Sequence, residues 1–433
     1  MTPPDAHDPV LRVHGGGPLE GTIRLSGAKN SVLKLMAASL LADGAVDLSE
    51  VPSISDVPVM GAVLEGLGVA VTHDVDAGTC RLEVHDDRTL RPPRDAVTRI
   101  RASVACLGPL VARRGAAELA LPGGDRIGAR SIDLHLDGLT AMGATVEHGD
   151  DGVVVRSQRL HGARITLDFP SVGATENLVM AATLAQGRTV IENAAREPEI
   201  ADLCRMLVAM GARISGIGTP TIMVEGVERL QGVAWETCPD RIEAGTYLVA
   251  AALTGGRVRV ERVRPDDLTL PLRKLADAGA SVDVEGDTVT VERGVAELRP
   301  VDVVTLPYPG FPTDLQPQMM VLLTQADGMS RCTENVFESR FSFVEQLRRM
   351  GADIDVDGHH AHLSGPTRLH GATLDGLDVR AGAAGVLAGL VAEGETVVRD
   401  VHHIDRGYAD FVPRLRALGA DVVRDGDGAD ADG

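Results

Sequence analysis

Aromatic side chains are almost missing from this chain: one Trp, three Tyr and six Phe among 433 residues. A core without them has to be built from Ala, Val, Leu and Gly, which favours tight helix-on-sheet packing over aromatic binding platforms. Cysteine is scarce too. The five, at 80, 106, 204, 238 and 332, show no CxxC spacing, so neither a disulfide framework nor a zinc site is expected. Positive charge is in short supply: the net charge is −20, which excludes a general nucleic-acid binder and makes any anion site a local arrangement working against the overall field. No apolar run is long. AGAAGVLAGLVA (381–392) falls short of the roughly 20 residues that span a bilayer, and MTPPDAHDPV lacks the basic and apolar regions of a signal peptide. These absences predict a cytosolic protein of two or three domains, with a disordered acidic tail, DGDGADADG, at 425–433.

What the chain does have is a repeat. LGVAV (67–71), MGATV (142–146), MGARI (210–214), AGASV (278–282), MGADI (350–354) and LGADV (418–422) share one form, with glycines at 68, 143, 211, 279, 351 and 419. In each, Gly sits just past the end of an amphipathic helix and a strand follows. Reading backwards completes the unit. In the first copy KNSVLKLMAASLLADG places Leu33, Met36 and Leu40 at helical spacing, AVDLSEV alternates as a strand, and Asp56 is the expected N-cap of a second helix burying Met60, Val63, Leu64 and Leu67. Six units of helix, strand, helix, strand divide most simply three and three into two α/β domains with a cleft between them. A solenoid is the competing arrangement, but a period near 70 is long for one, since solenoid repeats run about 20–50 residues.

The segments leading into these helices are charged in an unusual way. First helices are preceded or opened by Lys29 and Asn30 (SGAKN), Arg101 (RIRAS), Ser171 (FPSVGAT), Asp240 and Arg241 (PDRIEAG), Asp314 (FPTDLQ), and Asp378 and Arg380 (LDVRAG). Second helices carry Arg130 and Asp133, Glu197 and Glu199, Asp267, Glu338 and Arg340, and Asp405 and Arg406. Asp and Glu belong at helix starts; Lys and Arg oppose the dipole there, and their presence beside free N–H groups is how a phosphate or carboxylate site is built. FPSVGAT reads equally as a diphosphate cradle or a capped helix start. His359, His360 and His362 read as a polar hairpin turn rather than a metal site, and the pair His402–His403 as packing behind a site rather than a catalytic base. LPGGDRIGARSID (121–133) sets Asp125 at the tip of a glycine turn, before Arg126 and Arg130. On these grounds Asp125 is either an ordinary turn aspartate or a proton donor beside an anion.

SGAKN, RASVACLGPLVAR, LPGGDRIGARSIDLH, SVGATEN, NAAREPEI, PDRIEAGTY, FPTDLQ, TENVFESRF, DVRAGA and HIDRGY together resemble, in order, the motifs of the bacterial UDP-N-acetylglucosamine enolpyruvyl transferases, from about residue 11 to 424. The resemblance implies a two-domain inside-out α/β barrel of six repeated helix-strand-helix-strand units, three per domain. It implies an N-terminal domain of 29–238 carrying the catalytic loop, and a C-terminal domain of 1–28 plus 239–424. It also implies transfer of enolpyruvyl from phosphoenolpyruvate to the 3-hydroxyl of UDP-N-acetylglucosamine, with no metal or organic cofactor and no nucleic-acid or membrane partner. The oligomeric state is left open, a monomer included.

Carried over residue by residue, Lys29, Arg130 and Arg406 hold the phosphate and carboxylate of phosphoenolpyruvate, with Arg101 and Arg380 close by. Asn30 and Asp314 contact the sugar, and Asp314 is the base for its 3-hydroxyl. Ser171, Val172 and Gly173 receive the diphosphate, Asp133 lies near the uracil, Val336 and Arg340 line the nucleotide-sugar site, and Asp378 joins the binding set. Most described members have cysteine at the position of Asp125, a thiol alkylated by the epoxide antibiotic fosfomycin. The resemblance therefore places this chain in a subgroup with aspartate as proton donor, insensitive to that drug. Ser131 stands where many members have proline, and Phe169 where some have a basic residue. The sister enolpyruvylshikimate-phosphate synthases carry a GSKS-type segment in place of GAKN and a GNxGT-type segment in place of RASVACLG. Two alternatives remain: a paralogue acting on another nucleotide or sugar acceptor, and an inactive nucleotide-sugar-binding protein.

Overall fold

The computed structural model describes residues 9–125, 127–128, 131–149 and 152–425. Of the sequence expectations, Arg130 and residues 426–433 of the acidic tail lie outside the described residues. The chain divides into two compact units, one of Met1–Leu25, Asp125–Ala129 and Pro239–Gly433, the other of Ser26–Gly124 and Arg130–Cys238. Among the described residues each unit contains three sheets, consistent with three repeats per unit in a two-domain inside-out α/β fold.

The repeat glycines explain the regularity. Gly68, Gly143, Gly211, Gly279, Gly351 and Gly419 all have φ between +81° and +109°. Each ends the second helix of its repeat in a left-handed turn that a side chain would strain, and so sends the chain into the next strand. Asp56 departs from expectation. Ser55 holds the N-cap position of the helix Asp56–Glu65 without a side-chain cap, and Asp56 is the first helical residue. It is buried and ion-paired to Lys29, which fixes it where a capping carboxylate could not be.

Each repeat is also longer than helix, strand, helix, strand. After the second helix comes a hairpin, as in Val69–Asp74 with Thr79–Val84 or Asp353–Asp357 with His360–Gly365. The expected histidine turn is therefore a hairpin, with His360 Nδ1 2.9 Å from Thr333 Oγ1. In most repeats a further strand then leaves and pairs in parallel with the next one, as Arg164–Thr166 does beside Arg188–Glu192 and Thr373–Asp375 beside Glu395–Arg399; among the described residues the sheet of the second repeat has three strands and receives none. The exchange closes on itself within each unit. Leu230–Glu236, at the end of the third repeat, lies parallel to Ala42–Ser49 of the first. In the other unit the N-terminal strand Leu11–His14 pairs between Glu395–Arg399 and the last strand Asp421–Arg424, and Glu20–Arg24 lies parallel to Arg257–Glu261. An open solenoid is thereby ruled out.

The first helix of each repeat is sheathed almost completely. In Arg241–Thr254 every residue but the last is buried, and in Val379–Val391 (VRAGAAGVLAGLV) likewise. Small residues make this possible: a Cβ on Gly389 would lie 2.9 Å from Val13, and one on Gly382 2.8 Å from Ile404. This is the aromatic-poor packing the composition calls for. Among the described residues no helix is long and apolar enough to cross a membrane.

Gly211 has φ +109° with open space around its Cα, so its substitution by alanine tests the backbone alone. Gly211→Ala is expected to destabilise by about 1–2 kcal/mol, and Gly17→Ala, in open space with no such φ, by less than about 0.5 kcal/mol. Thermal unfolding midpoints of the two variants check this.

Candidate functional site

In the Ser26–Cys238 unit the predicted residues gather at helix starts. Lys29 opens the helix Lys29–Ala38, whose N-cap Ala28 supplies no side-chain acceptor. Its ammonium is 2.9 Å from Asp56, and both are buried. Asp56 is a residue the sequence reading assigned only to capping. Asn30 follows, and its carbonyl accepts from Lys34 Nζ at 2.7 Å. Ser171 caps Val172–Ala182 through Ala174 N at 3.3 Å, a geometry that both readings of FPSVGAT share, and Val172 and Gly173 form the first turn. Gly173 faces the ring of His135, 3.2 Å from where its Cβ would be.

His135 was quoted in a motif but given no role. Burial, reinforced by Arg101, pushes its imidazole down to about 4, so it is neutral at pH 7, 3.0 Å from Asn177 Nδ2. Arg101 starts a short 3-10 segment and reaches the Ser131 carbonyl at 3.4 Å, while the Ser131 hydroxyl donates to Asp133 at 2.7 Å. Gly123 must be glycine, since a Cβ would fall 1.7 Å from the Thr98 carbonyl. Phe169 is partly exposed, and its carbonyl accepts from Ser171 N.

A fully buried acid links the two helices. Glu176, one turn into Val172–Ala182, lies 3.3 Å from Lys34 of Lys29–Ala38. Burial pushes its carboxyl up to about 7 against the pull of Lys34, with Glu199 and Glu197 adding like charge.

In the other unit Asp314 is the centre. Arg340 donates to one of its oxygens at 3.0 Å and Arg380 to the other at 3.4 Å. Both arginines are almost wholly buried, whereas the carboxylate is about a quarter exposed. Behind Arg380, its guanidinium carbon 5.1 Å from the ring centroid, stands Tyr408, whose hydroxyl meets Thr246 at 2.9 Å and Gln318 at 3.0 Å. Asp378 caps Val379–Val391 by accepting from Arg380 N and Ala381 N, and Asp240 does the same for Arg241–Thr254. Val336 lies in a turn whose amide donates to Glu334 at 2.8 Å. Glu334, which the sequence reading missed, is buried and also accepts from Phe337 N and Thr313. Arg406 donates to Asp125 at 2.6 Å, with His403 Nδ1 3.9 Å from the same oxygen.

The repeat itself marks which junctions are specialised. Between the central strand and second helix, four repeats place a non-glycine residue at φ near +55°: Glu50, Asn193, Arg262 and Asp400. Among the described residues the other two show none there and instead carry 121–132, with Asp125, and 334–339, with Val336. Strained backbone shared by four copies is a scaffold feature; its loss in two frees those loops for other use.

A family model described as EPSP synthase (3-phosphoshikimate 1-carboxyvinyltransferase) matches residues 13–415. A UDP-N-acetylglucosamine 1-carboxyvinyltransferase of Nocardia farcinica is 54% identical over 96% of this chain and 98% of its own length. One of Corynebacterium jeikeium is 53% identical over 95% and 98%. Among solved structures, the enolpyruvyl transferase NikO from Streptomyces tendae is 29% identical with a TM-score of 0.87, covering 96% of this chain and 99% of that one. EPSP synthase from Acinetobacter baumannii, 17% identical with a TM-score of 0.73 over 96% and 100%, shares the fold.

Two buried groups pull stability in opposite directions with pH. The contribution of Glu176 is fully present below its unfolded value of 4.5 and is lost as pH rises through about 7. That of His135 is present above 6.5 and is lost as pH falls toward about 4. Acidification from about pH 7 to about pH 5 therefore costs His135 what Glu176 partly offsets. Glu176→Gln removes the offset, and its melting midpoint should fall more steeply than the wild type's over that range.

Proposed function

The chain belongs to the EPSP synthase (3-phosphoshikimate 1-carboxyvinyltransferase) family, and we infer that it catalyses the UDP-N-acetylglucosamine 1-carboxyvinyltransferase reaction. In that reaction the enolpyruvyl group of phosphoenolpyruvate moves to the 3-hydroxyl of UDP-N-acetylglucosamine and phosphate leaves, the first committed step of peptidoglycan precursor synthesis. The observation that carries this is identity of 49–54% over nearly the whole chain to relatives so named. The structure titled only as an enolpyruvyl transferase stands at 29%, which favours the nucleotide-sugar acceptor over a different one. The substrates are small molecules, and the reaction is assigned to the cytoplasm, where phosphoenolpyruvate is made.

The chemistry divides into addition and elimination. Asp314, oriented by one arginine on each oxygen, takes the proton of the 3-hydroxyl as its oxygen bonds to C2 of phosphoenolpyruvate. Asp125 gives a proton to the methylene carbon. In the second half that proton is taken back from the methyl group and the bond to phosphate breaks, phosphate leaving with the proton that came from the hydroxyl. Lys29, Arg130 and Arg406 hold the substrate anions and, fixed in advance, stabilise the negative charge that the departing phosphate takes up. Lys29 is so fixed by Asp56. Asn30, Ser171, Val172, Gly173, Asp133, Val336 and Arg340 take the nucleotide sugar. Asp378 acts here through its cap, which orients Arg380.

The aspartate at 125 sets the drug response. All five cysteines are buried, and burial pushes Cys80 up to about 11 and Cys106 and Cys204 to about 12, so no other thiolate is available to fosfomycin.

Phosphate release should require UDP-N-acetylglucosamine, should not occur with shikimate 3-phosphate, and should drop at least about 100-fold in Asp125→Asn. Release with shikimate 3-phosphate alone would refute the acceptor. The wild type should survive fosfomycin, whereas Asp125→Cys should be inactivated in a time-dependent way with its pH optimum moved upward. An active, still resistant cysteine variant would contradict this assignment of residue 125.

A further inference from the structure

The proton donor of the proposed reaction is tied to a cation. Asp125 accepts from Arg406 at 2.6 Å, and the side chains are only 17% and 15% exposed, so solvent and salt screen the pair weakly. A carboxylate so held is a poor acid. Among the described residues, the histidine beside it does not relieve this. His403, 3.9 Å away, has its pKa lowered by burial, then by His402 and Arg406, against the opposing pull of Asp125, and stays neutral at pH 7. Asp405, next to Arg406 in sequence, is engaged by Arg424 at 2.6 and 3.0 Å. In sequence Asp125 is followed by another cation, Arg126.

We propose that Asp125 is an internal stand-in for the substrate anion on Arg406, and that binding of the external anion loads the acid by displacing it. Once the substrate's phosphate or carboxylate takes the guanidinium, the released carboxylate has lost its counter-charge and gained a like-charged neighbour. Both changes favour its taking a proton from solvent. The O–H bond so formed is the one that gives its proton to the methylene carbon. The acid is therefore charged only when there is a substrate to protonate. This rests on the reaction proposed above for its timing, but the exchange on Arg406 stands or falls separately.

Sulfate is a suitable probe because its charge does not change between about pH 5.5 and about pH 7.5. Calorimetric titration of sulfate into the full chain should show Asp125→Asn binding about fivefold tighter than wild type at the upper pH, since that carboxylate no longer competes. On acidification the wild type should close that gap as Asp125 protonates. Asp405→Asn removes the same charge one residue away from Arg406 without freeing it, and should change affinity less than twofold; Arg406→Ala should abolish binding. Equal affinities and parallel pH curves in wild type and Asp125→Asn would overturn the proposal, as would an equal gain in Asp405→Asn or no saturable binding in any of them. Phosphate release by the wild type separates the two failures: turnover without the sulfate difference sinks only the exchange, and the sulfate difference without turnover sinks only the reaction.

Discussion

A helix enclosed on every side can present polar chemistry only at its ends. That constraint organises this protein. The first helices of the repeats, such as Arg241–Thr254 and Val379–Val391, are wrapped so closely that glycine and alanine replace larger residues along their length. A charge in the middle has no water and needs a partner on another helix, as Glu176 has in Lys34. At the N-terminus the situation reverses: unpaired N–H groups and the positive end of the dipole accept carboxylates such as Asp240 and Asp378 at low cost, and those carboxylates in turn support cations. Lys29 with Asp56, and Arg380 with Asp314, are two solutions to the same problem, each a buried cation kept by a buried or half-buried acid. Burying such groups is costly unless both partners stay, so each pair fixes its members in place as well as in charge.

Much of this is legible in the sequence, because the repeat leaves two independent records. The glycines at one fixed place in all six copies require a left-handed turn, and the charged lead-ins break the usual polarity of helix starts. Reading both gives the number of units, their division by three, and most of the residues that converge on Asp314. What stayed hidden depends on contacts between segments distant in the chain. Nothing near Asp56 says that its partner is Lys29, and nothing near Glu334 distinguishes a carboxylate that holds a turn from one on the surface. His135 sits inside a quoted motif, yet its neutrality follows from burial that only the fold reveals. Glu176 is the extreme case, a glutamate in an apolar helix whose only visible reason is a lysine 142 positions earlier. Apart from the histidine hairpin, the hairpins and exchanged strands were missed for a simpler cause: short β segments after a helix carry little periodicity of their own.

The departures from the repeat are as informative as the repeat. Four junctions accept the strain of a non-glycine residue in the left-handed region, and among the described residues the other two show none. Those two carry Asp125 and Val336. A pattern copied six times thus separates what serves the scaffold from what serves the site, without any comparison between different proteins.

The strand exchange has a consequence for the chain as it is made. Leu11–His14 and Glu20–Arg24 are the earliest described segments of the polypeptide, yet their partners are Arg257–Glu261, Glu395–Arg399 and Asp421–Arg424. On the ribosome the intervening stretch, 26–238, holds all three of its own repeats and the strand that closes them, so it can reach its native pairing first. Glu20–Arg24 must wait, its edge unpaired, for Arg257–Glu261, and Leu11–His14 until Glu395–Arg399 and Asp421–Arg424 have emerged. Synthesis and assembly therefore run in opposite orders for this end of the molecule, and its two glycine-flanked strands are short, which limits what an unpaired edge can capture in the meantime.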